Sequence, residues 1–561
     1  MRDFFKSGLG AAFFIGSISF CVLAWYHNIF WFAPDEGVFA HISERVNNGD
    51  VIGVDFYTLH PGLFYFWNAF LFKIFSYDLV VMRYPLVVLF TIEAALVTYM
   101  LRDKGFWFSS LAGFWVCIFG FIQFLNPSPN WYGHIFAFFS IFILAEFPKA
   151  NIWRYVLTGL LIALTLCFRH PCGIFLGMGV LTFYALEAYN DQGLKLRDML
   201  LGKAFLVFAV LSLIFFNFLF CTDIHLFFYL GVWPVLALSL LLIFCPIDNV
   251  KFFRSCLYSA FGAMVVLIPF FSYIWMYSDF SEWLQNSLFM SARLFDLDTM
   301  GKTKYWYFPF YAFDIFFKLP NLFNLLNAIF WAVLYSVPIV AGIVSIKKLS
   351  DFRNGNEIHP AFIIPLFYGY VGFYLQVPIY LYFMLSLCAL AIFIYSSARY
   401  HILLVSLSIL MIYQSLTMYV ARPLDVPYGV EQSNVTSKIN RASLYISEPS
   451  YEVYNQAVTY IKENSSANDS IFAYPNSAEF YFLSERKNPT PYIITCSAIH
   501  SDEEYDIWLK RIEDSSPKII VNKPGDKYNR SYERRFTENL HMMGYNQTNK
   551  IGPFVFYMKV P

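Results

Sequence analysis

Across 561 positions the chain is 58% hydrophobic, 21% aromatic and only 14% charged, which excludes an ordinary soluble globular protein. Its 39 basic residues balance 39 acidic ones, so no global field would recruit nucleic acid. Repeated apolar runs of about 20 residues point instead to a polytopic helical membrane protein.

In chain order the runs predict membrane spans at 8–32, 79–101, 106–125, 131–147, 155–168, 171–189, 204–221, 226–245, 256–276, 322–345, 361–376, 379–397 and 402–420, about 13 in all. The first run is too long, and its exit at Trp31 and Phe32 too bulky, for a cleaved signal peptide, so it reads as an anchor. Loops 33–78 and 277–321 are the two long interruptions. Lys and Arg concentrate in alternate short loops, among them Arg102, Lys104, Lys149 and Arg154. That bias places the N-terminus inside and residues 421–561 outside. Pro423 and Pro427 mark the boundary between the 1–420 membrane domain and this tail. The tail is polar, and helix-like stretches at Glu452–Glu463, Glu503–Glu513 and Tyr532–Met543 alternate with β-rich runs at Ser470–Tyr474, Lys518–Val521 and Phe554–Met558. Such alternation predicts a small α/β domain. Of nine cysteines only Cys496 lies in the tail, so no internal disulfide is available there, and no pair has metal-site spacing.

Under this topology the unusual polar residues gather on the outer side. Asp35-Glu36 follows the first span, His60-Pro61-Gly62 lies in the same loop, and Arg83 opens the second span. Asn126, Ser128 and Asn130 sit in the next outer turn, then Arg169-His170, then Arg293, Asp296, Asp298, Lys302 and Lys304 in the long loop. Ionisable groups inside membrane segments are costly and usually functional. Apart from Glu93 they lie here at outer ends, whereas a transporter would show polar breaks at the midplane of paired halves. An enzyme working at the interface on a lipid-linked substrate fits better. Adjacent carboxylates on a helix point about 100° apart, so Asp35 and Glu36 cannot form a face-to-face dyad. One could take the proton of an acceptor hydroxyl while the other holds a metal, a base or a sugar hydroxyl. Arg83, Arg169, Arg293, Lys302 and Lys304 are the cations available to neutralise a phosphate leaving group. Plainer readings stand beside these. Pro34-Asp35-Glu36 also suits a helix start, Arg83 could snorkel to the interface, and Glu93 could be paired inside the bundle.

The series Pro34-Asp35-Glu36, His60-Pro61-Gly62-Leu63-Phe64-Tyr65-Phe66-Trp67 and Arg83-Tyr84-Pro85 resembles the start of the GT-C glycosyltransferases. The likeness is to the dolichyl-phosphate-mannose–protein mannosyltransferase type and its bacterial relatives, including the aminoarabinose transferases. The separations of 25 residues from Asp35 to His60 and 23 from His60 to Arg83 fit that arrangement. Asn130-Trp131-Tyr132-Gly133, Arg169 and the tail segment from Tyr460 to Pro489 look like further landmarks. Two departures matter: His60-Pro61-Gly62 replaces a more usual double proline, and Asn126, Ser128 and Asn130 stand where several relatives carry a second acid.

The resemblance implies a GT-C-type helical membrane fold with a small extracytoplasmic α/β domain, in a bacterial inner membrane with the tail in the periplasm. It implies inverting transfer of a sugar from a polyprenyl-phosphate donor to a lipid, glycan or protein acceptor, with no nucleic-acid partner. Asp35 would be the general base, and Glu36 would orient the acceptor or help hold a divalent metal, whose requirement is left open. His60, Arg83, Arg169 and His170, with Lys302 and Lys304, would bind the donor phosphate. The alternatives from other classes are a lipid or polysaccharide transporter or flippase and a non-catalytic envelope assembly protein.

Overall fold

In hydrocarbon a chain must satisfy its own backbone, and a sequence this apolar does so by forming helices. The computed structural model describes residues 8–189, 196–221, 223–244, 246–289, 304–352, 357–373, 376–418, 435–495, 499, 501–526 and 532–559. Arg293, Asp296, Asp298, Lys302, Pro423, Pro427 and Cys496 lie outside the described residues.

Among the described residues nine helices are long and apolar enough to cross a membrane, and Leu63–Ile74, Ile152–Phe168 and Pro360–Phe373 are shorter apolar ones. The protein is a helical, polytopic integral membrane protein. Helices accompany all the predicted spans, with one interruption. The run predicted at 361–376 is a five-residue helix, Ile364–Tyr368, between 3₁₀ turns at Pro360–Phe362 and Gly369–Phe373. Pro365 and two glycines deny it a continuous hydrogen-bond ladder. Loop 33–78 is itself largely helical, with helices at Ala33–Asn47 and Leu63–Ile74. Small residues set the helix crossings. A Cβ added at Gly159 would strike the carbonyl oxygen of Ser259, and one at Gly262 that of Val156, so Ile152–Phe168 and Asn249–Tyr277 meet backbone to backbone.

The tail opens with an antiparallel pair, β1 (Val435–Lys438) and β2 (Tyr445–Ser447). Strands β3 (Ile471–Tyr474), β4 (Ile519–Asn522), β5 (Tyr545–Ile551) and β6 (Phe554–Lys559) form a mixed sheet in the order β3-β4-β6-β5, with only β3 and β4 parallel. Helices Glu448–Asn464, Asp502–Ser515 and Glu533–Met542 occupy the predicted helical stretches. Residues of β3 alternate between two cores: Phe472 and Tyr474 pack with Trp508 and Phe536, while Ile471 and Ala473 join the core that continues into the membrane bundle. A one-residue slip would exchange these two sets, so burial on both faces fixes the register.

Candidate active site

The Ala33–Asn47 helix begins as its sequence predicts, with Pro34 in the first turn and Asp35 and Glu36 beside the positive end of the helix dipole. The helix is held on two sides. Gly37 packs so closely on the backbone nitrogen of Glu479 in the tail helix Glu479–Ser484 that no Cβ fits. One turn on, the His41 ring stacks on Tyr481 with centroids 4.7 Å apart, and Glu44 receives Arg441 at 2.8 Å. On the opposite side Phe39 meets Phe64 edge-on at 5.1 Å and His60 at 6.1 Å. Helical spacing sends Gly37, His41 and Glu44 to the tail and Asp35 and Phe39 to the bundle.

Glu36 and Arg83 are both fully buried. Arg83 Nη2 donates to Glu36 Oε1 at 2.6 Å and Nε to Oε2 at 3.2 Å, a two-pronged pairing. Its remaining donors go to backbone carbonyls: Nη1 to His27 at 2.7 Å and Ile29 at 3.3 Å, Nη2 to Phe30 at 2.8 Å. The guanidinium's five N–H groups are thereby spent. Arg83 therefore holds Glu36 and has no donor left for a phosphate, a departure from the expectation drawn from its spacing. Glu36 Oε1 also accepts from Phe32 N–H at 3.0 Å. Burial pushes its carboxyl upward, while Arg83 and the Phe32 amide oppose that shift. Both Glu36 oxygens thus accept hydrogen bonds from within the protein, Oε1 from Arg83 and Phe32 and Oε2 from Arg83. Among the described residues no group of three or more His, Cys, Asp and Glu side chains is gathered as a metal ion would require.

Asp35 points elsewhere, as the 100° rotation demands. Its Oδ2 accepts from Asn126 Nδ2 at 3.2 Å, and the residue keeps partial contact with solvent. Loss of hydration, reinforced by the neighbouring Glu36 carboxylate and opposed by Asn126, raises its pKa to about 7. Beside it, Tyr65 feels the charges of both Asp35 and Arg169. The Tyr65 hydroxyl lies 2.8 Å from His60 Nδ1. Burial and then the charges of Arg169 and His170 hold His60 well below the ordinary histidine range, so its ring is neutral. The charge of Arg169 thus acts on both members of the hydrogen-bonded His60–Tyr65 pair, and that of Asp35 on Tyr65.

Arg169 and His170, with Asn130, form the polar part of the lining of a cavity of about 340 Å³. Its other walls are mainly apolar, with Ile174, Phe216 and Phe220 among them, beside Ser212, Tyr370 and Tyr380. The sharp break that places Arg169 here is extended backbone at Arg169 itself, followed by Pro171 in the first turn of the His170–Glu187 helix. Lys304 is paired with Asp223 Oδ2 at 2.5 Å and does not line this cavity, and Lys302 lies outside the described residues. Two site residues had no assigned role from sequence. Tyr65 was visible only as part of the motif string. Asn126 marked the place of a missing acid and proves to be the partner of the acid that is present.

No protein-family model matches the chain, and no curated protein matches it in sequence. Among solved structures it is similar to ArnT from Cupriavidus metallidurans in the apo state, at 12% identity and a TM-score of 0.40, over 99% of this chain and 97% of that one. The structure of the same ArnT bound to undecaprenyl phosphate gives 12% identity and a TM-score of 0.38 over the same shares.

Proposed function

We propose that the protein is an inverting glycosyltransferase that moves a sugar from a polyprenyl-phosphate donor to a hydroxyl acceptor, at the end of the bundle that carries the tail and on the periplasmic side of a bacterial inner membrane. One observation carries this reading: a carboxyl tuned near neutrality and an arginine at the polar side of an apolar cavity both act electrostatically on one tyrosine, Tyr65. The cavity suits an isoprenoid chain, and Arg169 suits the phosphate that joins it to the sugar.

In the reaction Asp35 takes the proton of the acceptor hydroxyl, and the acceptor oxygen bonds to the anomeric carbon from the face opposite the phosphate. The bond from that carbon to the phosphate oxygen breaks, and polyprenyl phosphate leaves with the electron pair. A base with a pKa of about 7 is matched to work at neutral pH. Glu36 does not meet the substrate; its fixed charge makes Asp35 more basic. His60 and Tyr65 supply neutral hydrogen-bonding groups between base and phosphate. On the leaving side electrostatic neutralisation by Arg169 outweighs proton donation, because a phosphate is already a good leaving group.

The test is transfer by purified protein in lipid nanodiscs, given undecaprenyl-phosphate-linked pentoses and hexoses with total envelope lipid as acceptor. Release of undecaprenyl phosphate is read by mass spectrometry, with and without a chelator. Turnover by the native protein that is lost in Asp35→Asn, with normal membrane insertion, supports the proposal. Turnover retained in Asp35→Asn removes Asp35 as the base, and no release from any donor removes the donor class.

A further inference from the structure

Arg83 can hold Glu36 only because three carbonyls, those of His27, Ile29 and Phe30, converge on its guanidinium. Their convergence needs a backbone that a phenylalanine rarely adopts: Phe30 has φ +62°. A non-glycine residue persists in the left-handed region only where its surroundings over-determine it, and such residues cluster at functional sites. Here the surroundings are the tail. Phe30 N–H donates to the Tyr445 carbonyl at 2.8 Å, and Tyr445 N–H donates to the Asn28 carbonyl at 2.7 Å, so the first residue of β2 grips the turn from both sides. The same short tail segment also fixes the other half of the clamp. Leu79 N–H donates to the Arg441 carbonyl at 3.0 Å, Val80 N–H to that of Ala442 at 3.2 Å, and Ser443 Oγ lies 3.0 Å from Asp78 Oδ1. Those residues open the 3₁₀ turn Leu79–Arg83 that delivers the guanidinium.

We infer that the tail segment Arg441–Tyr445 is a positioning element of the active site, which moulds the Asn28–Phe30 turn into the carbonyl cradle that aligns Arg83, Glu36 and so Asp35. This rests on the transferase reading above. No atom of the segment touches the reacting groups; it acts through the cradle. The tail is therefore a working part of the membrane domain, and Phe30 is the residue where the dependence is stored in backbone conformation.

The experiment is a substitution series at Phe30 in the full-length protein: Phe30→Gly, Phe30→Asn, Phe30→Ala and Phe30→Val. Two readouts are taken, undecaprenyl phosphate release from an undecaprenyl-phosphate sugar and hydrogen–deuterium exchange of residues 28–36. Glycine, and to a lesser degree asparagine, accept positive φ, whereas a β-branched residue resists it. The expected result is a kcat ranking of Gly, then Asn, then Ala, then Val. Phe30→Gly should stay within about threefold of the native protein and Phe30→Val should fall about tenfold or more. Donor KM should change less than about twofold throughout, because the cavity is untouched, and exchange of the 28–36 amides should rise in the reverse order. Activity that instead follows side-chain volume, with Gly lowest, overturns the inference in favour of ring packing. So do equal activities and equal exchange in Gly and Val. If Phe30→Val is not recovered folded, Gly against Ala decides the same ranking. If the native protein releases nothing from any donor, the transferase reading has failed, while the exchange series still decides whether the cradle depends on Phe30 φ.

Discussion

Among the described residues, two acid–base pairs in the helical bundle have both partners buried, Glu36 with Arg83 and Glu93 with His134, and their difference bears on what makes a candidate site. Both are almost fully enclosed. In the second, His134 Nδ1 lies 2.9 Å from the Phe383 carbonyl, which can only accept, so that nitrogen carries a proton. His134 Nε2 then meets Glu93 Oε1 at 2.9 Å. An imidazole has a neutral form, so a histidine–carboxyl pair can exist without charges where the membrane makes them costly. Arg83 cannot do this, because a guanidinium does not lose its proton in a protein. Glu36 must remain its counter-ion, and the standing charge falls on Asp35 next door. A charged pair inside a membrane protein is not by itself a site. What marks this one as a candidate site is the third group, a carboxyl with no cation beside it among the described residues and in partial contact with solvent.

The contrast can be broken most forcefully at that third group. Asp35→Asn should lower transfer by about 10²–10⁴-fold, the range of a lost general base. Next comes an isosteric amide at Glu36. Glu36→Gln keeps shape but leaves the Arg83 charge buried without a counter-ion, and the expected cost is about 3–5 kcal/mol in denaturant or thermal unfolding. A smaller effect follows from pH. Because Asp35 must be ionised, kcat/KM should fall about tenfold per unit below its pKa of about 7 and level off above it. The sign of the linked stability is opposite. The folded pKa of about 7 exceeds the roughly 3.9 of an unfolded aspartate, so this contribution is fully present below the unfolded value and is lost as pH rises through 7. At pH 8 the inactive Asp35→Asn protein should therefore be the more stable one, by about 1–2 kcal/mol once the partial solvent contact of Asp35 is allowed for. A lower melting temperature for Asp35→Asn at pH 8 would mean that the native protein does not hold Asp35 under strain.

What could be read in the sequence follows from how far each feature reaches along the chain. The spans were legible because each carries its own apolar run, and the divergence of Asp35 from Glu36 because helical rotation is local. Even the Asp35–His60–Arg83 series could be read, since both separations are short, 25 and 23 residues. The role of Arg83 could not, because its carbonyl partners depend on a turn held by Tyr445, more than 400 positions away. The same distance hid the closeness of Gly37 to Glu479, so the tail, expected as a small domain on the membrane, proves to be interlocked with the Ala33–Asn47 helix. The broken helix around Ile364–Tyr368 escaped because hydropathy registers apolar content and not hydrogen-bond continuity. Tyr65 escaped because one tyrosine among 40 carries no signal until the fold brings the charges of Asp35 and Arg169 to act on it.

The smallest effect is expected where the same chemical change is made in the other pair. Glu93→Gln replaces a carboxyl with an amide that can donate from its NH₂ group to Nε2 of a neutral His134, while Nδ1 keeps its bond to the Phe383 carbonyl. No charge need be stranded, because an imidazole, unlike a guanidinium, can face the amide as a neutral ring. Glu93 Oε2 has no hydrogen-bond partner among the described residues, so no second contact is lost. Transfer should stay within about twofold of the native rate and stability within about 1 kcal/mol. The comparison fails if Glu93→Gln proves as damaging as Glu36→Gln. That outcome would mean His134 is held as an imidazolium, making the mid-membrane pair a second obligatory charge pair and restoring the midplane polar site that a transporter would need.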